Sequence, residues 1–254
     1  MPVRDDPWPA GTPLWVDLGV DDPEAARAFY TALFGWEHVS SSPDSDGSSV
    51  ARLDGRPVAG IGPRRHDQVP SGWLTVVGAD DVSATAAAVV EAGGRLAIPP
   101  GETTPAGLSL ALDPAGAAFG LRDAAHPVAI GRYNEPGAPC WNELRTRGYD
   151  EARRFYAKVF GYEYSDLSDG TFVSAAFRRP GDRAEVGGIV HETDPAEADH
   201  WLTWFEAADV DAAARKAADL GGRVLLSPQD SSFGRISVVE GSQGERFGLI
   251  TLPA

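Results

Sequence analysis

Apolar and polar positions along the chain change period at regular intervals, and these changes predict a recurring order of elements. Residues Leu14 to Val20 read as a strand. Asp22-Pro23-Glu24 then supplies an N-cap side chain, a proline at the first helical position and an acid in the first turn. Ala26, Phe29, Tyr30, Leu33 and Phe34 follow at helical spacing on one stripe, and Gly35 stops the helix. Short, turn-bounded segments near 36–41, 48–54 and 57–62 predict three strands. The same β-α-β-β-β order restarts with a strand at Trp73–Ala79, a helix between an Asp81 cap and a Gly93 stop, and strands near 94–98, 107–112 and 118–122.

The whole pattern then repeats. Gly11-Thr-Pro13-Leu-Trp15-Val-Asp17-Leu18 returns 126 positions later as Gly137-Ala-Pro139-Cys-Trp141-Asn-Glu143-Leu144. Arg27-Ala-Phe29-Tyr30 and Phe34-Gly35-Trp36-Glu37 return as Arg153-Arg-Phe155-Tyr156 and Phe160-Gly161-Tyr162-Glu163. Trp73-Leu-Thr75, Asp81-Val82 and Gly93-Gly94-Arg95 return as Trp201-Leu-Thr203, Asp209-Val210 and Gly221-Gly222-Arg223. Four modules therefore form two related domains at residues 11–123 and 137–254, after a tail at 1–10 and with a linker at 124–136.

Composition narrows the function. With 22 Lys and Arg against 37 Asp and Glu, the net charge is −15, which disfavours nucleic-acid phosphates and anionic membrane surfaces as partners. No apolar run approaches the roughly 18 residues of a membrane span, and the start at Met1 has no leader-like apolar region, so a soluble cytoplasmic protein is expected. The single cysteine, Cys140, excludes an internal disulfide and a multi-thiolate metal site. The five histidines have no spacing of the kind a helical metal motif needs, and no nucleophile elbow or phosphate loop occurs.

The motifs Val20-Asp-Asp22-Pro…Phe29-Tyr30…Leu33-Phe34-Gly35-Trp36, Ala79-Asp-Asp81-Val82…Gly93-Gly94 and Asp113-Pro114-Ala-Gly116-Ala-Ala-Phe119-Gly120-Leu121, with their counterparts in the second half, carry a resemblance. The chain resembles a tandem member of the vicinal oxygen chelate superfamily of glyoxalases, bleomycin-resistance proteins and extradiol dioxygenases. That resemblance implies an α+β fold: two glyoxalase-like domains, each of two β-α-β-β-β modules whose curved mixed sheet surrounds a cavity. It does not fix a reaction, because the fold hosts several. Metal-using relatives take ligands from positions that fall here on Trp15, Leu74 and Gly120, and on Trp141, Leu202 and Gly248. None of these side chains ligates a divalent ion, so neither a family-type metal nor another cofactor is expected.

Side chains two apart share a strand face. Asp17 and Glu143 thus point the same way as Trp15 and Trp141, which the resemblance places in the cavities. An acid in a half-apolar pocket is a candidate general base or acid, or an anchor for a ligand. Leu202, Trp204 and Glu206 share a face in the second half, where the first half has Leu74, Val76 and Gly78. The two cavities are therefore expected to differ, with the second better equipped for polar recognition. His191, at the end of a predicted strand, is a candidate at the pocket mouth. Tyr30 and Tyr156, together with Trp73 and Trp201, read as core. Two functions stay open: a metal-free binder of a small apolar or aromatic molecule, or an isomerase, lyase or hydroxylation accessory using Asp17 or Glu143 for proton transfer. A third, a metal-dependent glyoxalase or dioxygenase, needs ligands at other positions. The halves are expected to pair within one monomer, as separate relatives pair in dimers, or to form a homodimer.

Overall fold

The computed structural model describes residues 3–40, 46–67, 69–102, 107–169 and 172–252. In the first domain the order is β1 (Pro13–Val20), α1 (Pro23–Phe34), β2 (Glu37–Ser40), β3 (Ser49–Leu53), β4 (Arg56–Pro63), then β5 (Gly72–Ala79), α2 (Val82–Glu91), β6 (Arg95–Ile98), β7 (Ser109–Leu112) and β8 (Ala118–Asp123). The second domain repeats it with β9 (Pro139–Thr146), α3 (Tyr149–Phe160), β10 (Glu163–Asp166), β11 (Ser174–Arg178), β12 (Glu185–His191), β13 (His200–Glu206), α4 (Val210–Asp219), β14 (Arg223–Ser231), β15 (Gly234–Glu240) and β16 (Arg246–Thr251). Each predicted element of the first half is present. Ser41, at the end of one predicted strand, lies outside the described residues.

Local chemistry accounts for the helix limits. Asp22 Oδ1 accepts from the backbone N–H groups of Glu24 and Ala25, and Gly35 ends α1 at φ +77°, a left-handed conformation that favours glycine. Asp81 and Asp209 cap α2 and α4 in the same manner. The start of α3 departs from the pattern: Gly148 stands at the cap with no side chain to offer.

Each domain is one eight-stranded mixed sheet, ordered β2-β3-β4-β1-β5-β8-β7-β6 and β10-β11-β12-β9-β13-β16-β15-β14. The first strands of the two modules pair antiparallel at the centre, β1 with β5 and β9 with β13. Alternation splits β1 between two layers. Val16, Leu18 and Val20 face the helices, whereas Trp15 and Asp17 face the concave side, the cup.

The helix-bearing faces of the two sheets pack on each other, and two hydrophobic cores there draw on both domains. One joins α1 with Phe205, Val210, Ala214, Phe247 and Leu249; the other joins Ala86, Val89 and Phe119 with Phe155, Tyr156 and Trp201. At the pseudo-two-fold axis, Asn142 Oδ1 accepts from both Thr75 (3.0 Å) and Thr203 (2.9 Å). To either side lies a buried relay across the domain junction. Trp73 Nε1 donates to Tyr30 (3.0 Å), whose hydroxyl donates to Glu245 (2.8 Å). Trp201 Nε1 donates to Tyr156 (3.0 Å), whose hydroxyl donates to Asp113 (3.2 Å). Tyr30, Tyr156, Trp73 and Trp201 are thus core, and the cups face away from the junction.

Candidate functional site

The two cups have the same floor and different states of closure. In the first, Trp15 is 2% exposed and Asp17 5%, and β1 is buried on both faces nearly throughout. Leu74, Val76, Leu108 and Leu110 fill the interior, and Trp8, Val128, Ile130 and Tyr133 from tail and linker pack over it. Trp8 Nε1 donates to Ile130 O (2.8 Å), Trp8 lies edge-on to Tyr133 at 5.2 Å, and Val3 pairs with Arg132. The linker thus covers the cup in addition to joining the domains. Beneath it, Arg65 Nε donates to Asp17 Oδ2 (3.2 Å), with both side chains under a tenth exposed. Arg122 reaches Val128 O (2.9 Å) and lies 5.4 Å from the Trp15 ring; burial brings its guanidinium down to about 10, against the pull of Asp17.

In the second cup the same strand alternates. Along β9, Trp141, Glu143 and Arg145 are half-buried while Asn142, Leu144 and Thr146 on the helix face are buried. Leu202, Trp204 and Ile250 form a small core there, flanked by Trp141, Ile236 and Val238. Burial pushes the Glu143 carboxyl up; Arg145, 3.3 Å away, and the nearby Trp204 indole pull the other way. Arg145 also reaches Glu192 at 3.3 Å. Glu206, on the Ile250 side, is likewise pushed up by burial. Cys140 donates to Trp204 O (3.3 Å), and burial raises its thiol far enough to make it inert.

The second cup therefore brings together Trp141, Glu143, Leu202, Trp204 and Glu206 from the expected set. Asp17, Trp15, Leu74 and Val76 sit together in the other domain, closed off. His191 is a correction: it lies on the helix-bearing face, its ring 6.2 Å from Tyr149, because β12 alternates so that Ile189 and His191 point away from the cup. His200 opens β13, and burial holds its imidazole below the usual range. Sequence reasoning missed Arg145, although it is two residues beyond Glu143 and shares its face. It also missed Arg65 and Arg122, which only the closed tertiary structure brings to Asp17. A separate cleft of about 210 Å³ at the domain junction is lined by Trp73, Leu74, His200, Trp201 and Arg246 among others. Its charged groups are engaged, Asp199 by Arg147 and Arg246 by Glu197.

The family's metal positions do not fit an ion here. Trp15, Leu74, Trp141 and Leu202 offer no donor suited to a divalent ion. A Cβ at Gly120 would lie 2.9 Å from Val76 Cγ2, and one at Gly248 2.1 Å from the Trp204 ring, so a ligating glutamate at either place collides with what fills it. Among the described residues, no three His, Cys, Asp or Glu side chains converge.

Paired β-α-β-β-β modules around a cup define the class as a tandem vicinal-oxygen-chelate fold. The chain belongs to the Glyoxalase/Bleomycin resistance protein/Dioxygenase superfamily, whose family model matches residues 12–121 and 139–249. It is 38% identical over 257 residues to the protein named "Putative glyoxylase CFP32" of Mycobacterium tuberculosis, covering 98% of each chain. It is 30% identical to the anthracycline biosynthesis protein DnrV of Streptomyces peucetius, covering 95% of this chain and 94% of that one. Among solved structures, the Mn(II)-bound glyoxalase from Novosphingobium aromaticivorans superposes with TM-score 0.66 at 19% identity, over 96% of this chain and 83% of that one. The dioxygenase LapB from Pseudomonas sp. KL28 gives 0.62 at 17% identity, over 96% of both. These structural likenesses concern the fold. Among the described residues no helix is long and apolar enough to cross a membrane.

Proposed function

We propose that this protein binds a small, planar aromatic molecule in the cup of its second domain, without a family-type metal, and that the first domain is a closed structural partner. The observation that carries this is the contrast between equivalent residues: Trp141 and Glu143 are half-buried where Trp15 and Asp17 are buried under the tail and linker. An apolar, aromatic-walled concavity with a few polar groups is the usual form of a small-molecule site. The names of the mycobacterial and Streptomyces relatives, a glyoxylase and anthracycline biosynthesis proteins, accord with a role in small-molecule metabolism. In this reading the protein works in the cytoplasm as a monomer whose two halves pair. Tryptophan emission tests the site. Titration with naphthalene-sized aromatics gives saturable quenching that a prior chelator treatment leaves unchanged and Trp141→Phe largely removes. Absence of quenching by any such compound, or quenching that requires a divalent ion, refutes the proposal.

A second reading has one observation in its favour. Glu143 combines a carboxyl raised by burial with a guanidinium at 3.3 Å, the arrangement of an acid–base group poised for proton transfer. Asp17, locked to Arg65, is not open to substrate. Turnover of an enolisable aromatic carbonyl compound, abolished by Glu143→Gln with binding retained, is the result this reading requires.

A further inference from the structure

We infer that the cleft at the domain junction is a further ligand site, distinct from the second cup, for a small uncharged aromatic molecule bearing one hydrogen-bond donor, a phenol being the simplest case.

The walls of this cleft are equivalent segments of the two domains. Trp73 and Gly116 on one side correspond to Trp201 and Gly244 on the other. The duplication is broken at the polar positions. Asp199, His200 and Arg246 of the second domain stand where the first has Ser71, Gly72 and Ala118, so one wall carries the functional groups and the other is made of small side chains. A Cβ at Gly72 would meet nothing within 4 Å.

Size and polarity define the occupant. The volume is about 210 Å³. A cavity of about 150 Å³ takes benzene, and drug-sized ligands need about 300 Å³ or more, so one ring with a small substituent fits. Trp73 and Trp201 offer aromatic surface alone, because both indole N–H groups are already donated to Tyr30 and Tyr156 (3.0 Å each). The Ser71 hydroxyl donates to Gly19 O (3.1 Å). Charges cancel as well: Asp199 pairs with Arg147 at 3.7 Å and Arg246 with Glu197, which leaves neither a cation nor an anion an unmatched partner.

His200 is the exception. Its Nδ1 lies 2.8 Å from the Ala198 carbonyl oxygen, which can only accept, so Nδ1 carries the proton. Burial keeps the imidazole neutral at neutral pH, and Nε2 is then a lone-pair acceptor with no hydrogen-bond partner among the described residues. An aromatic cleft with matched charges and one oriented acceptor selects a neutral donor. The ring packs on the indoles and the hydroxyl donates to Nε2.

Carbon–proton correlation spectra of the full chain follow the ring Cε1–H groups of its five histidines, and the peak lost in His200→Gln is that of His200. The probes are phenol, fluorobenzene, which is of nearly the same size and has no donor, and benzoate. Phenol is expected to move the His200 peak saturably, with a Kd at least about fivefold below that of fluorobenzene, the worth of one neutral hydrogen bond. Benzoate is expected to leave the peak in place. Trp141→Phe, which alters the second cup, is expected to preserve the phenol shift, and Ala118→Leu, which fills part of the cleft, to abolish it. Calorimetry in the Trp141→Phe background gives the same ranking of the probes without the His200 variant. An unmoved His200 peak, equal Kd values for phenol and fluorobenzene, or tighter binding of benzoate overturns the inference. So does a phenol shift that Trp141→Phe removes, which assigns the binding to the second cup and leaves that reading intact.

Discussion

The two relays across the domain junction reach the same geometry from different sequence positions, and this makes a sharp prediction. The turns at 113–117 and 241–245 are equivalent. In each, the N–H of the first residue donates to the carbonyl of the fifth and that of the fourth to the carbonyl of the first: Asp113 to Ala117 and Gly116 to Asp113, Gly241 to Glu245 and Gly244 to Gly241. The acid sits at the first position in one turn and at the fifth in the other. A Cβ on Gly241 would lie 2.2 Å from Glu245 Oε1, so the Glu245 carboxylate occupies the space that the Asp113 side chain takes in its own turn. Glu245→Ala removes the acceptor of the buried Tyr30 hydroxyl and is expected to cost about 2 kcal/mol. Gly241→Asp alone forces two carboxylates against one hydroxyl and is expected to cost about the same or more. Together they rebuild the Asp113 arrangement, with the new carboxylate placed to accept from the backbone as Asp113 does from Ala115, Gly116 and Ala117. The double variant should then lie within about 1 kcal/mol of the wild type, a coupling of roughly 3 kcal/mol. Urea unfolding of the four proteins measures it. Additive losses, with no recovery in the double variant, would show that the relays are not interchangeable and refute the equivalence.

Two further outcomes follow from burial. Burial holds both Asp113 and Glu245 above the usual carboxylate range. A carboxyl raised by folding contributes stability that is complete below its unfolded pKa and lost as pH rises through the folded value, so unfolding free energy should decline from the ordinary carboxylate range upward; a slope unchanged in the Asp113→Asn, Glu245→Gln double variant would assign it to other groups. At Gly248, an added methyl lies 2.1 Å from the Trp204 ring, against 2.9 Å from a Val76 methyl at the equivalent Gly120. Gly248→Ala should therefore cost about 1–3 kcal/mol and shift tryptophan emission, and Gly120→Ala less; equal urea midpoints would contradict the close approach.

How much of this was legible in the sequence depends on the range over which each feature is decided. The helix from Pro23 to Phe34 is specified within its own span by the Asp22 cap and the Gly35 stop, and the tandem repeat specifies the rest of the architecture by copying. Alternation along each of two paired strands placed Trp141 and Glu143, and Trp204 and Glu206, on a common face. It failed at His191 because that reading looked to the end of a strand and not to its face. The closure of one cup was not legible, since it is made by Trp8 and Ile130, residues outside both repeats with no counterpart to compare.

A deeper reason concerns equivalence itself. Aligning the halves position by position pairs Asp113 with Gly241 and Ala117 with Glu245, and on that basis neither acid has a partner. In space both carboxylates meet a tyrosine that also accepts from a tryptophan. The floor acids behave likewise: the guanidinium beside Asp17 comes from Arg65, in the segment after β4, while that beside Glu143 comes from Arg145, on the same strand. Once duplicated, a buried charge needs a counter-group but not one at a fixed address, because a long side chain reaches the same point from several backbone positions. Compensation therefore drifts along the sequence while its geometry stays.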